Sequence, residues 1–229
     1  YIQLRLTTAF HDVASEAPVI TVGTSLGRLA YHLNQTKRIA WPVVATHDKH
    51  VLFFSLEMSR SMLSDRLLAK HTEGVSSAHI RSKTHLGPDE YPKIAVTIGQ
   101  FADMRLHIDE SPTLTVPDLR SRARRAAVHG KCDLVVIDYL QLIDMTGQPG
   151  RNRENDVSEA SRGLKAMARE LNIPVLVLSQ LNRKPEDRAG GRPKKSDLRD
   201  SGSLEQDADV ILLLHRDDVH KKGDPNYAP

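Results

Sequence analysis

The apolar residues of this chain gather into short continuous runs, and between the runs they thin out to helix-like spacing. A run of aliphatic and β-branched residues with no polar alternation predicts a strand buried on both faces. Such runs fall at 50–57, 134–137 and 173–180; shorter strands are read at 17–23, running into a glycine turn, and at 210–214, while 104–109 alternates as a strand does. Helices are predicted between them. One opens at Thr24 and covers 24–33. Another covers 60–71 with Ser59 as its cap, and a third is opened by Gly87, Pro88, Asp89 and Glu90. Thr115, Val116, Pro117 and Asp118 resemble a capping box for a helix ending near Gly130, and 155–171 is stopped by Asn172 and Pro174. Strands alternating with helices predict an α/β fold, a mostly parallel sheet with helices on both faces.

Several of these runs end abruptly in a polar residue: Glu57, Asp138 and Gln180. The carboxyl edge of a parallel sheet is where α/β folds bind ligands, so these residues are candidates for chemistry. At such an edge Asp138 could hold Mg²⁺ on nucleotide phosphates, Glu57 could activate water, and Gln180 could hydrogen-bond a terminal phosphate or water. The bland alternatives are a turn-capping Asp138 and a Glu57 paired with a nearby Arg or Lys. A phosphate loop would follow the first strand. Against the pattern Gly-x-x-x-x-Gly-Lys-Ser/Thr the aligned residues are Val22, Gly27, Arg28 and Leu29, of which only Gly27 matches. Arg28 keeps the charge, and Leu29 has no hydroxyl to offer a metal.

Composition narrows the class. The 229 residues are 39% hydrophobic but only 4% aromatic, so the core is built from Leu, Ile, Val and Ala. A net charge of +3 permits nucleic-acid binding without arguing for it. Cys132, the single cysteine, excludes an internal disulfide and is expected to be a buried structural thiol. No run approaches a membrane span, and residues 1–16 are polar where a signal peptide would be apolar, so a cytoplasmic protein is expected. The helix from 115 carries Arg120, Arg122, Arg124 and Arg125, which a solvated face explains better than a DNA contact. Residues 183–195 have the composition of a loop.

Four blocks in order carry a resemblance. They are Phe54-Ser55-Leu56-Glu57-Met58-Ser59, Val136-Ile137-Asp138-Tyr139-Leu140-Gln141-Leu142, Leu178-Ser179-Gln180-Leu181-Asn182-Arg183, and the stretch from Ser196-Asp197-Leu198-Arg199-Asp200-Ser201-Gly202-Ser203 through Asp209. Together they resemble the motor domain of the DnaB replicative helicases, over roughly 47–218. The resemblance implies a RecA-like P-loop NTPase fold in one domain spanning 1–229, with a degenerate phosphate-loop region in 1–46 and a tail at 216–229. It implies ATP and Mg²⁺ as cofactors, with Glu57 as the base that polarises water, Asp138 as the metal-binding acid and Gln180 as the sensor of the terminal phosphate. Ser25, Gly27, Arg28 and Leu29 would then contact the nucleotide, and Arg199, Asp200 and Gly202, with Arg151 and Arg153, would face single-stranded DNA. A grip on phosphates rather than bases suits a motor that must travel along any sequence. The resemblance further implies a homo-hexameric ring moving 5′ to 3′ with a helicase loader and a primase as partners. The family's trans-acting basic residues and its primase-binding domain are expected to lie outside this stretch. Arg28 and Leu29 keep a second expectation open: a ring or DNA-binding relative that does not hydrolyse ATP.

Overall fold

The computed structural model of the chain describes residues 48–82, 86–145, 153–182, 193–198 and 202–214, with backbone alone at 19–24, 82 and 153. In chain order the elements are β1 (Val19–Thr24), β2 (Val51–Ser55), α1 (Arg60–His71), α2 (Ser77–Ser82), α3 (Glu90–Ala102), β3 (Leu106–Asp109), α4 (Val116–Val128), β4 (Leu134–Asp138), α5 (Arg153–Leu171), β5 (Val175–Gln180), α6 (Gly202–Asp207) and β6 (Val210–Leu213). Single 3₁₀ turns cover Leu140–Leu142 and Lys195–Asp197.

The strands form one six-stranded sheet in the order β3-β2-β4-β5-β1-β6, and every pairing is parallel. Three strands with continuous apolar runs, β2, β4 and β5, are buried along their whole length, whereas β6, on a sheet edge, is only partly buried. Their side chains alternate between two cores, as the twofold period of a strand requires. Leu52, Phe54, Val135, Ile137, Val175 and Val177 pack against Leu119 and Ala123 of α4 and Leu164 and Met167 of α5. Val51, Phe53, Leu134, Val136, Leu176 and Leu178 face the other way, with Leu63 of α1. β3, on the sheet edge, is only partly buried.

Helix ends follow local chemistry. Ser59 caps α1 by accepting from the Met62 N–H at 3.3 Å, and Thr115 with Asp118 forms the predicted capping box of α4. Gly130, with φ +65°, lets the Lys131 N–H return to the Ala126 carbonyl at 2.9 Å, which ends α4 and turns the chain into β4. α5 stops at Asn172, whose φ of +52° is left-handed, just before Pro174. The α4–α5 crossing is close, because a Cβ on Gly163 would lie 2.6 Å from Val116 Cγ1.

Candidate active site

Parallel pairing puts the carboxyl ends of all strands on one side of the sheet. The strand order then makes β2, β4 and β5 neighbours, with β1 next to β5. Glu57, Asp138 and Gln180 therefore follow or close three adjacent strands at one edge. Asp138 is the last residue of β4, opposite Ser55 of β2, and is 2% exposed. Gln180 closes β5 opposite Thr24 of β1 and is 3% exposed. Its Nε2 is buried without a hydrogen-bond partner among the described residues. An amide left in that condition costs free energy unless another group meets it, which makes this a place where a ligand oxygen would fit.

Glu57 differs from expectation in one respect. β2 ends at Ser55, two residues earlier than the apolar pattern suggests, and Glu57 rides on a bend beyond it. The bend is fastened at both ends. Ser55 Oγ donates to the Met58 carbonyl at 2.6 Å and accepts the Met58 N–H at 3.3 Å. The Leu56 N–H donates to the Asp138 carbonyl at 2.9 Å. Leu56 and Met58 are buried on either side, so Glu57 alone of the three is exposed. Although the side chain reaches solvent, the surrounding chain partly desolvates the Glu57 carboxyl and raises it above its ordinary value, and the positive charge of Arg66 on α1 opposes that rise. A carboxylate made more basic by its surroundings suits a group that takes a proton from water.

Two residues quoted in the sequence blocks but given no role prove to hold the edge together. Ser55 is one. The other is Gln141, in the 3₁₀ turn after β4, whose Nε2 donates to Ser179 Oγ at 3.0 Å and whose Oε1 accepts the Gln180 N–H at 3.1 Å. Their only sequence signal is that they are polar residues inside apolar surroundings, Ser55 after Phe54 and Gln141 between Leu140 and Leu142.

The remaining candidates are spread more widely. Gly202 opens α6 and is exposed, and Arg153 opens α5. Arg151, Arg199 and Asp200 lie outside the described residues, as do Ser25, Gly27, Arg28 and Leu29. The stretch leading to Arg199 is nevertheless tied to the site. Leu181, directly after Gln180, bridges Leu198 in antiparallel fashion, and the Asn182 N–H donates to the Asp197 carbonyl at 2.8 Å. The chain leaving β5 and the chain entering residue 199 thus run side by side. On α4 the basic residues are largely occupied: Arg120 and Arg124 pair with Glu170 of α5, and Arg122 with Asp109 of β3. That favours the solvated-face reading of this helix over a DNA contact, and adds ion pairs that the sequence alone did not predict.

A six-stranded parallel sheet with helices on both faces and polar residues at its carboxyl edge is a doubly wound α/β architecture, consistent with the RecA-like fold. The model of the DnaB-like helicase C terminal domain matches residues 6–228, and the chain belongs to that family. It is 40% identical over 222 residues to the replicative DNA helicase DnaB of Geobacillus stearothermophilus, covering 97% of this chain and 47% of that protein. It is 37% identical over 222 residues to the replicative DNA helicase DnaC of Bacillus subtilis, again covering 97% and 47%. The chain thus spans about half the length of these relatives. A solved ATPase domain superposes with a TM-score of 0.80 at 29% identity, covering 98% of this chain and 87% of the other. A solved DnaB-like replicative helicase, whose structure was described with its interactions with primase, gives a TM-score of 0.78 at 34% identity, covering 92% and 49%.

Proposed function

We propose that this chain is the ATP-driven motor of a replicative DNA helicase, moving on single-stranded DNA and unwinding duplex ahead of it. The observation that carries the reading is the adjacency of β2, β4 and β5, which gathers Glu57, Asp138 and Gln180 at the ligand-binding edge of a parallel sheet. Asp138 suits Mg²⁺, since magnesium is commonly held by one or two carboxylates with phosphate and water oxygens completing its shell. Among the described residues no group of three or more His, Cys, Asp or Glu could hold a metal by themselves. When bound, the metal supplies charge neutralisation between nucleotide phosphates. Glu57 takes the proton of the attacking water, and Gln180 donates its free N–H to a terminal phosphate oxygen or to that water. Ser25, Gly27, Arg28 and Leu29 are the candidates for holding the nucleotide.

The bridge from Leu181 to Leu198 supports a route from phosphate to DNA, because it ties the residue directly after Gln180 to the one directly before Arg199 in sequence. Arg199, Asp200 and Gly202, with Arg151 and Arg153, would grip the DNA backbone. Work by neighbouring subunits of a hexameric ring in the cytoplasm, with a loader and a primase, is the family's mode and belongs to this proposal. No described helix is long and apolar enough to cross a membrane. A second reading, DNA binding without hydrolysis, is favoured by Leu29 where the phosphate-loop pattern has a hydroxyl. The test is ATP turnover by the full-length protein that contains this motor domain, with and without single-stranded DNA. DNA-stimulated turnover supports the motor; DNA binding with no turnover supports the second reading.

A further inference from the structure

The ladder between β4 and β5 ends at Ile137 and Val177. β5 continues to Gln180, still paired with β1 on its other side, while the chain of β4 turns away through Tyr139 into the 3₁₀ turn Leu140–Leu142. The end of β5 therefore has a strand on one side only, although Ser179 is 0% exposed and Gln180 3% exposed. Gln141 fills the missing side. A side-chain amide carries the same donor and acceptor as a peptide, and this one accepts from the Gln180 N–H at 3.1 Å and donates to Ser179 Oγ at 3.0 Å. Its oxygen stands in for the next carbonyl of β4, while its N–H is spent on the Ser179 hydroxyl.

We propose that Gln141 is the positioning residue for Gln180, fixing the backbone from which the Gln180 amide reaches the nucleotide. Because Gln141 lies three residues after Asp138, it also keeps the Asp138 strand end and the Gln180 strand end in one register. The effect on turnover rests on the reading in which Gln180 meets a terminal phosphate; the hold on the backbone does not.

Gln141→Met keeps the length of the side chain and removes both hydrogen bonds. In the full chain its DNA-stimulated kcat for ATP falls on the order of ten-fold, as for other residues that orient a reacting group. KM for ATP stays close to the parent's. The discriminating readout is a double-mutant cycle. If Gln141 acts through Gln180, then Gln141→Met adds no further loss in a Gln180→Ala background. Ser179→Ala, which removes one of the two contacts, gives a smaller loss in the same direction. Exchange of the Gln180 backbone amide with solvent deuterium speeds up in Gln141→Met whether or not the chain turns over ATP. Faster exchange in a chain without turnover supports the hold on Gln180 and counts against the motor reading. Unchanged exchange, a parental kcat, or losses that simply add overturn the role given to Gln141.

Discussion

The amide of Leu56 donates to the carbonyl of Asp138 at 2.9 Å, so the bend that carries Glu57 hangs directly on the end of the strand that carries the aspartate. Ser55 pairs with Asp138 in the β2–β4 ladder, and its hydroxyl closes the same bend onto Met58. Backbone bonds thus join the two segments that carry these carboxylates.

The raised Glu57 carboxyl gives the acid side of the rate profile a direction. Burial makes it harder to ionise, and the Arg66 charge works against that. The acid limb of kcat against pH is expected above the ordinary glutamate range. Arg66→Met removes the opposing charge, so the limb moves to still higher pH. A limb that stays put or moves down in Arg66→Met contradicts the assignment of that limb to Glu57.

The contact between Asp109 and Arg122 predicts a pH-dependent stability. Burial alone would push the Asp109 carboxyl up. Hydrogen bonds from Arg122 and from the Ser111 hydroxyl and backbone outweigh it and leave the group below its ordinary value. A depressed carboxyl contributes stability at pH values above its unfolded pKa, and loses it as pH falls through the lower folded value. Arg122→Leu should therefore destabilise the chain near neutrality and flatten its acid-side stability profile, read by denaturant midpoints across that range. An unaltered profile would remove the pair from the account.

Gly163 should not tolerate alanine. Helix propensity favours alanine by about 1 kcal/mol, but forcing a methyl into a filled crossing costs about 1–3 kcal/mol. At 2.6 Å from Val116 Cγ1 the added carbon must displace a stiff β-branched side chain. We expect Gly163→Ala to lower the denaturant midpoint and Val116→Ala to recover part of the loss when combined with it. A Gly163→Ala chain as stable as the parent would mean that α4 and α5 are not so closely crossed.

Cys132 should be inert in the native chain. Burial, helped by the neighbouring Asp133 charge, pushes its thiol up to about 12. Almost no thiolate exists at neutral pH, so a thiol reagent should label it only after unfolding. Rapid labelling under native conditions would contradict the buried position.

Much of the fold was legible because β2, β4 and β5 are covered on both faces, and such strands must be apolar throughout. Asp138 and Gln180 stood out for the same reason, as polar residues ending apolar runs. Caps at Ser59 and Thr115 and the stop at Asn172 are local and were readable too. The short α2 was not, since Ser77–Ser82 has too few turns to show a period. The bend under Glu57 escaped the pattern because it depends on Asp138, a partner distant in sequence. Gln141 escaped for a related reason: its role is set by Ser179 and Gln180, and nothing in a Leu-Gln-Leu turn announces them. The helix α6, at 202–207, was hidden by the polar composition of the stretch before β6.

The account turns on Glu57 acting in hydrolysis rather than in folding or nucleotide capture. The direct measurement is DNA-stimulated ATP turnover of Glu57→Gln beside its affinity for Mg·ATP. Turnover lost by several orders of magnitude with affinity retained is the result expected of a missing base. Turnover at the parental rate would contradict it.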